Sequence, residues 1–530
     1  MRIKKEIIAV VVWSVFLIAI SSLPYCLGRQ STPEGMEFMG FVGNIMDHQM
    51  YLSWMRQAVD GNSLFEVKYT TEQQKPVFFQ PLFFLLGRLA GIGNFDIVSV
   101  YKASRLVLGF LLLLLIYAVC GIFLSGEKRM LAFILCSAGT GFGWLVPGGL
   151  AEHLWRTFQI RSLDTDMVDG FAWLCIYTRP LFISAWILLI AAMVLFFLGL
   201  SGRKKWLVIA SGLTGLVMIL NHPYEAITMY SASGLLLLFF FIRDKKSDLH
   251  RLLLFGLFIC FSVPAVIYEA WLFSSNSVFT EYAKVPCFSP NPYSYLFGYG
   301  FIALLAVPGI GIALKRRSDS DLFLLSWAAA VAFLSYAPFR FQSRVVLGFG
   351  FPLSILAVEG FYSKILPEVK LSRHRTVILL LVLLSLPSNY IFVKSDLKSV
   401  EKFPMNYNLF RDDTAAFEWM KNNLSHKSSV ISSFPIGLYL PGRTGLKVYA
   451  GHYSQTAYFE KKLAALRKFY GDASESERTS LLRENNIDYV YMGRFEKMMG
   501  EWAPEKSGYL EPVYHNGETT VYRINVKMQK

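Results

Sequence analysis

Charge is scarce in this chain: Asp, Glu, Lys and Arg make up only 17% of its 530 residues, against 54% hydrophobic residues. No soluble protein of this length needs so apolar a composition to fill its core, so the shortage excludes a soluble enzyme and points to a polytopic membrane protein. Acidic residues are the scarcer sign, 38 against 52 basic, for a net charge of +14. The basic residues nevertheless fall in short clusters between apolar runs, not in one patch, so nucleic acid is not an expected partner. Cysteine is sparse too: the six at 26, 120, 136, 175, 260 and 287 have no CxxC or metal-ligand spacing, leaving either a Cys26–Cys287 bridge or scattered thiols. No Walker A loop, internal repeat or low-complexity tract is present, which leaves ATP-driven transport without support.

What the chain has in plenty is apolar length. About eleven runs are candidate spans: 7–23, 97–124, 130–146, 181–200, 206–221, 226–242, 252–273, 296–314, 322–337, 345–362 and 376–393. The first is longer than the apolar core of a usual signal peptide and no clear small-residue cleavage site follows it, so it reads as a retained anchor. With the N-terminus cytoplasmic, EKR (127–129), GRKK (202–205), RDKKSDLHR (243–251), KRR (315–317) and the 364–375 loop all fall on the cytoplasmic side, as the positive-inside rule requires. An odd number of spans puts the tail outside. The expected fold class is therefore a multi-pass α-helical membrane protein with an extracytoplasmic C-terminal α/β domain. Residues 1–393 form the membrane domain, with long external loops at 24–94 and 147–180, and residues 394–530 the tail. In the tail the pattern predicts helices at 412–423, 454–470 and 474–485, and strands at 429–433, 487–493, 509–515 and 519–526.

Loops this long at one face exceed what a channel or an anchor needs. The first carries MDHQMYLSWMRQAVDG, where Asp47 is either the N-cap of a helix lying along the membrane surface or a placed reactive carboxylate. External cations run against the positive-inside rule. Arg340 and Arg344 in PFRFQSR, Arg179, Arg105 and Lys102 either snorkel to ordinary lipid phosphates or grip a substrate phosphate through forked hydrogen bonds. NHPYEA joins two spans through a short turn, which keeps His222, Tyr224 and Glu225 near membrane depth; they line a site or close the turn as a satisfied pair. Asp164 and Asp166, in SLDTDMVDG, have a DxD spacing able to hold a divalent cation, Mg²⁺ or Mn²⁺. The glycines of GTGFGW follow no strand, so they read as places of close helix approach, not as a nucleotide loop.

Taken together, DHQMYLSWMRQAVDG, FFQPLFFLLGRLAG, YKASR, PFRFQSRVVLGFGFPLSILA, GHYSQTAYFEKK and IDYVY resemble the GT-C superfamily of membrane glycosyltransferases, most of all the branch related to protein O-mannosyltransferases and lipid A aminoarabinose transferases. The resemblance implies an inverting enzyme that moves a sugar from a polyprenyl-phosphate donor, dolichyl- or undecaprenyl-linked, to a lipid, glycan or protein acceptor at the outer face of the plasma membrane. It makes Asp47 the base or acceptor-orienting group and gives the external arginines the carrier phosphate; His48 and Tyr51, beside Asp47, are expected to line the substrate pocket. Two departures stand out: His48 follows Asp47 where members often carry an acidic pair, and the tail lacks the WWDYG signature of the oligosaccharyltransferase branch. No cofactor is required by this reading, and a metal-dependent, oligosaccharyltransferase-like variant is its alternative. The rivals from other classes are a secondary transporter or flippase working through His222, Glu225 and the arginines, and a non-catalytic assembly protein.

Overall fold

The computed structural model describes residues 2–146 and 148–525. Pro147, the expected start of the second loop, and Val526, the expected end of the last strand, lie outside the described residues, as do Met1 and 527–530. Two compact units emerge. One gathers Met1–Leu23, Ala103–Glu269 and Pro286–Asp396; the other gathers Pro24–Lys102, Ala270–Val285 and Leu397–Lys530. The first long loop thus belongs to the same unit as the tail. Backbone pairing is one cause: Met36–Phe38 runs antiparallel to Asn408–Phe410, with Met36 opposite Phe410.

In the first unit the apolar runs form helices. Across the described residues seven are long and apolar enough to cross a membrane: Lys4–Gln30, Ile97–Phe123, Pro180–Ser201, Glu225–Asp244, Leu249–Ser275, Pro292–Arg316 and Leu371–Lys402. The other four expected spans are shorter helices, Gly126–Ala138, Lys205–Asn221, Asp319–Leu334 and Gly350–Gly360, of 13, 17, 16 and 11 residues. At about 1.5 Å per residue, an 11-residue helix covers only about half of a bilayer core. Pro292–Arg316 packs on Gly350–Gly360 almost backbone to backbone. A Cβ on Gly309 would lie 1.9 Å from the Leu356 carbonyl, and one on Gly360 would lie 2.2 Å from that of Leu305, the small-residue contact that membrane helices favour.

The second unit is built on a five-stranded sheet in the order Lys447–Val448, Ser429–Ile431, Tyr489–Met492, Thr519–Ile524 and Leu510–Asn516. The first three strands are parallel and the last two add antiparallel. The strand expected at 429–433 stops at Ile431 because Ser432 and Ser433 lead into a helix, Phe434–Thr444, that periodicity did not reveal. Its start is held by Glu496, whose Oε1 accepts the Ser433 N–H at 2.6 Å while Oε2 accepts that of Gly493 at 3.0 Å. Behind the sheet, Leu466, Phe469, Tyr470 and Leu482, from helices Phe459–Tyr470 and Glu475–Glu484, pack with Val490, Tyr522 and Ile524 into one core.

Candidate functional site

Asp47 stands in the first turn of helix Ile45–Val59. Asn44, not Asp47, is the N-cap: its Oδ1 accepts the Asp47 N–H at 3.4 Å, and its Nδ2 donates to Asp47 Oδ2 at 3.1 Å. The carboxylate therefore sits one turn inside the helix, where the positive N-terminal end favours its charge. A surface-lying helix is also corrected, because ten of the fifteen residues are buried. The helix is clasped by Pro81–Gly93 and Phe434–Thr444. Gly87 lets the first approach, since a Cβ there would be 2.5 Å from the Met55 carbonyl. His48 and Tyr51 face the unit's core: His48 Nδ1 lies 2.8 Å from the Tyr101 hydroxyl and its ring stacks on Phe41, while Tyr51 stacks on Phe83 at 4.5 Å. Lys102 lies over the rings of Phe38 and Phe41, at 5.6 and 6.0 Å.

The group that meets Asp47 comes from the tail. His452 is fully buried, and its Nε2 lies 3.8 Å from Asp47 Oδ1, whose side chain keeps 18% exposure. His452 Nδ1 accepts the backbone N–H of Ser454 at 3.2 Å, which leaves the imidazole proton on Nε2. That Nε2–H makes no hydrogen bond among the described residues. Tyr453 stacks on the imidazole at 5.2 Å, and Tyr69 approaches it at 5.6 Å. The loop is pinned by the Thr456 hydroxyl, which accepts from Gly451 and His452 N–H and donates to the Tyr69 carbonyl.

A second cluster lies in the helical unit. The NHPYEA turn brings His222 Nδ1 to 2.5 Å from Glu225 Oε2, with Glu225 fully buried. Phe182 stands edge-on to His222 at 5.3 Å and carries the Arg179 guanidinium over its ring at 5.0 Å. Tyr224 packs against His222 and Phe341. Burial pushes its phenol up to about 12, against the pull of Arg344, so its hydroxyl stays a donor at neutral pH. Arg344 donates from Nη1 to Asp169 Oδ2 at 2.8 Å, and that carboxylate holds the guanidinium well above its ordinary value. Arg340 is tied in through its carbonyl, which accepts the Cys287 N–H at 2.7 Å. Five of the expected residues, Arg179, His222, Tyr224, Glu225 and Arg344, thus form one connected group.

Arg105 stands among other partners. Only 3% exposed, it donates to Ser21 Oγ, Ser22 Oγ and the carbonyls of Ile176 and Tyr177, so its guanidinium clamps Arg2–Gln30 to the Ala172–Thr178 segment. Asp164 and Asp166 turn to different partners. Asp164 Oδ2 accepts the N–H groups of Gly141 and Gly143 at 2.9 and 3.3 Å, and Oδ1 accepts the Ser162 hydroxyl. Burial pushes its carboxyl up while these bonds pull it back. Asp166 instead pairs with Arg161 at 2.5 Å. Across the described residues no group of three His, Cys, Asp or Glu side chains is arranged to hold a metal. The GTGFGW glycines serve both Asp164 and close packing, since a Cβ on Gly141 would lie 1.9 Å from the Phe297 carbonyl.

Two residues escaped the sequence reading. Asp169 is the third acid of SLDTDMVDG, passed over because a DxD search selects the first two. His452 lies in GHYSQTAYFEKK, and its signal was a run of polar and aromatic residues where a helix was expected to begin.

No family model matches the chain, and no curated protein matches it in sequence. Solved structures do. The apo oligosaccharyltransferase of Archaeoglobus fulgidus superposes with a TM-score of 0.54 at 13% identity, over 91% of this chain and 69% of that one. ArnT from Cupriavidus metallidurans in the apo state gives 0.52 at 12%, over 98% of this chain and 99% of that one, and the same protein has been seen bound to undecaprenyl phosphate. Arabinofuranosyltransferase AftD from Mycobacteria gives 0.52 at 11%, over 96% of this chain and 40% of that one. At these identities the likeness is one of architecture: the chain has the GT-C fold.

Proposed function

We propose that this GT-C chain is an inverting glycosyltransferase that moves a hexose or pentose from a polyprenyl-phosphate donor, undecaprenyl- or dolichyl-linked, to a lipid, glycan or protein acceptor. The observation that carries the reading is the Asp47 carboxylate, fixed through Oδ2 by Asn44 and faced at Oδ1 by the buried N–H of His452. A carboxylate oriented on both sides and still 18% exposed can receive a proton. The acceptor hydroxyl gives its proton to Asp47 as its oxygen attacks the anomeric carbon. The bond from that carbon to the phosphate oxygen breaks, and polyprenyl phosphate leaves with the bonding pair. One displacement inverts the centre, and no protein nucleophile is used.

Negative charge grows on the leaving phosphate, so forked cationic donors that strengthen with it lower the barrier. Arg344, Arg340 and Arg179 are assigned that part, with Tyr224 as a neutral donor and Asp169 aligning Arg344. The undecaprenyl phosphate held by ArnT supports a lipid phosphate as carrier. A metal-dependent variant would have to draw on Asp164, which accepts the Gly141 and Gly143 N–H groups, and on Asp166, whose Oδ2 pairs with Arg161. The charge pattern of the loops supports chemistry at the outer face, with a cytoplasmic N-terminus, eleven spans and the tail outside.

Arg344→Ala tests the phosphate assignment. With a synthetic polyprenyl-phosphate sugar, kcat/KM should fall by about 10²-fold or more, while Arg105→Lys, outside the proposed phosphate group, should leave the donor KM unchanged. A wild-type kcat/KM in Arg344→Ala would remove the arginine from the reaction.

A further inference from the structure

In the second unit a cavity of about 560 Å³ opens beside helices Phe459–Tyr470 and Glu475–Glu484, with Tyr449, Tyr458, Lys461, Ser480, Glu484 and Asn485 among its walls. Its charges largely cancel one another. Lys462 pairs with Glu72 at 2.7 Å and Lys468 with Glu477 at 2.5 Å. With those ions matched, the lining keeps one further charge of each sign, Lys461 and Glu484, beside hydroxyl, amide and aromatic groups. That is a surface for a neutral polyhydroxylated ligand and a poor one for an anion.

Tyr458 sharpens the assignment. Its backbone is left-handed, φ 56° and ψ 42°, where a bulky side chain is an outlier, and the residue is 59% exposed. An exposed aromatic face suits the C–H face of a sugar ring, while its hydroxyl can bond the ring's edge. A chain of side-chain contacts runs from its wall to Asp47. Lys462 at its wall bonds Thr70 Oγ1 at 3.0 Å, the adjacent Tyr69 touches the His452 ring, and His452 faces Asp47. Tyr453, stacked on His452, lies on the same loop as Tyr458.

We infer that this cavity binds a neutral oligosaccharide, the extended part of a glycan acceptor whose reacting hydroxyl is presented to Asp47. Its role as an acceptor site rests on the transferase reading; its ability to bind sugar does not. The test is binding of the purified full-length protein to an array of neutral mannan, arabinan, galactan and glucan fragments printed beside their sulfated and phosphorylated counterparts. Wild type should retain neutral fragments. Tyr458→Gly, which suits the left-handed backbone, and Ser480→Trp, which fills the space, should each weaken binding about tenfold at an unchanged melting temperature. Asp47→Asn should bind sugar as wild type does, and a wild-type protein that retains neutral fragments yet transfers no sugar from a polyprenyl-phosphate donor would end the transferase reading and leave the sugar site standing. Preference for the anionic fragments, no retention of neutral ones, or wild-type binding in both cavity variants would overturn the site.

Discussion

His452 shows how much one backbone hydrogen bond can decide. With the Ser454 N–H on Nδ1, the ring can present only a donor to Asp47, and a donor to a carboxylate favours its charged, proton-accepting form. At 3.8 Å the contact is longer than a hydrogen bond, as such contacts often are before substrate closes the site. In the proposed reaction His452 is a positioning residue. His452→Phe should lower kcat by about 10- to 100-fold with the donor KM unchanged, and His452→Gln, whose amide N–H reaches the same place, should restore most of it. Equal activity in the two variants would deny the donor its part. Residues of this kind are illegible in a sequence, because a histidine some 400 positions from its carboxylate carries no local sign of the pairing. Asp47 stands out in the sequence because polar residues just after a first span contrast with apolar surroundings, whereas its cap, Asn44, is hidden by the more conspicuous acid three residues on.

At the scale of elements, periodicity found the long helices and most strands but stumbled where side chains from elsewhere set the boundary. Phe434–Thr444 carries Pro441 and Gly442, which read as loop, yet the helix stands because Glu496 caps its start and the Asp47 helix packs on it. Burial pushes the Glu496 carboxyl up to about 7, against the N–H groups of Ser433 and Gly493 that pull the other way. An acid whose folded value is raised holds an extra proton in the native state, so stability should fall as pH rises from the ordinary value of about 4.5 to about 7, and level off above it. The full effect is roughly 3 kcal/mol. Thermal melting between pH 4.5 and 8 should show this slope in wild type and a flatter one in Glu496→Gln. An equal slope in both would assign the pH dependence to other groups. The short helices Gly126–Ala138 and Gly350–Gly360 teach the complementary lesson: an apolar run of 17 or 18 residues need not be one helix, because glycines such as Gly139 and Gly348 end or open it.

For the whole molecule, apolar composition fixed the membrane class and basic clusters ordered the loops, but the grouping of the first loop with the tail was beyond reach of any local pattern. It depends on a three-residue strand pair and on helix contacts between segments hundreds of positions apart. That grouping gives Asp47 its histidine, and it places every residue named for proton transfer in one unit and every arginine proposed to hold phosphate in the other. Each cluster is ordered by contacts within its own unit, so variants in one should leave ligand binding by the other intact. Proton acceptance by Asp47 is therefore the step to isolate. In single-turnover transfer from a polyprenyl-phosphate sugar, Asp47→Asn should bind donor within about threefold of wild type and transfer its sugar about 10³-fold more slowly; transfer by Asp47→Asn at the wild-type rate would contradict the assignment of this carboxylate as the base.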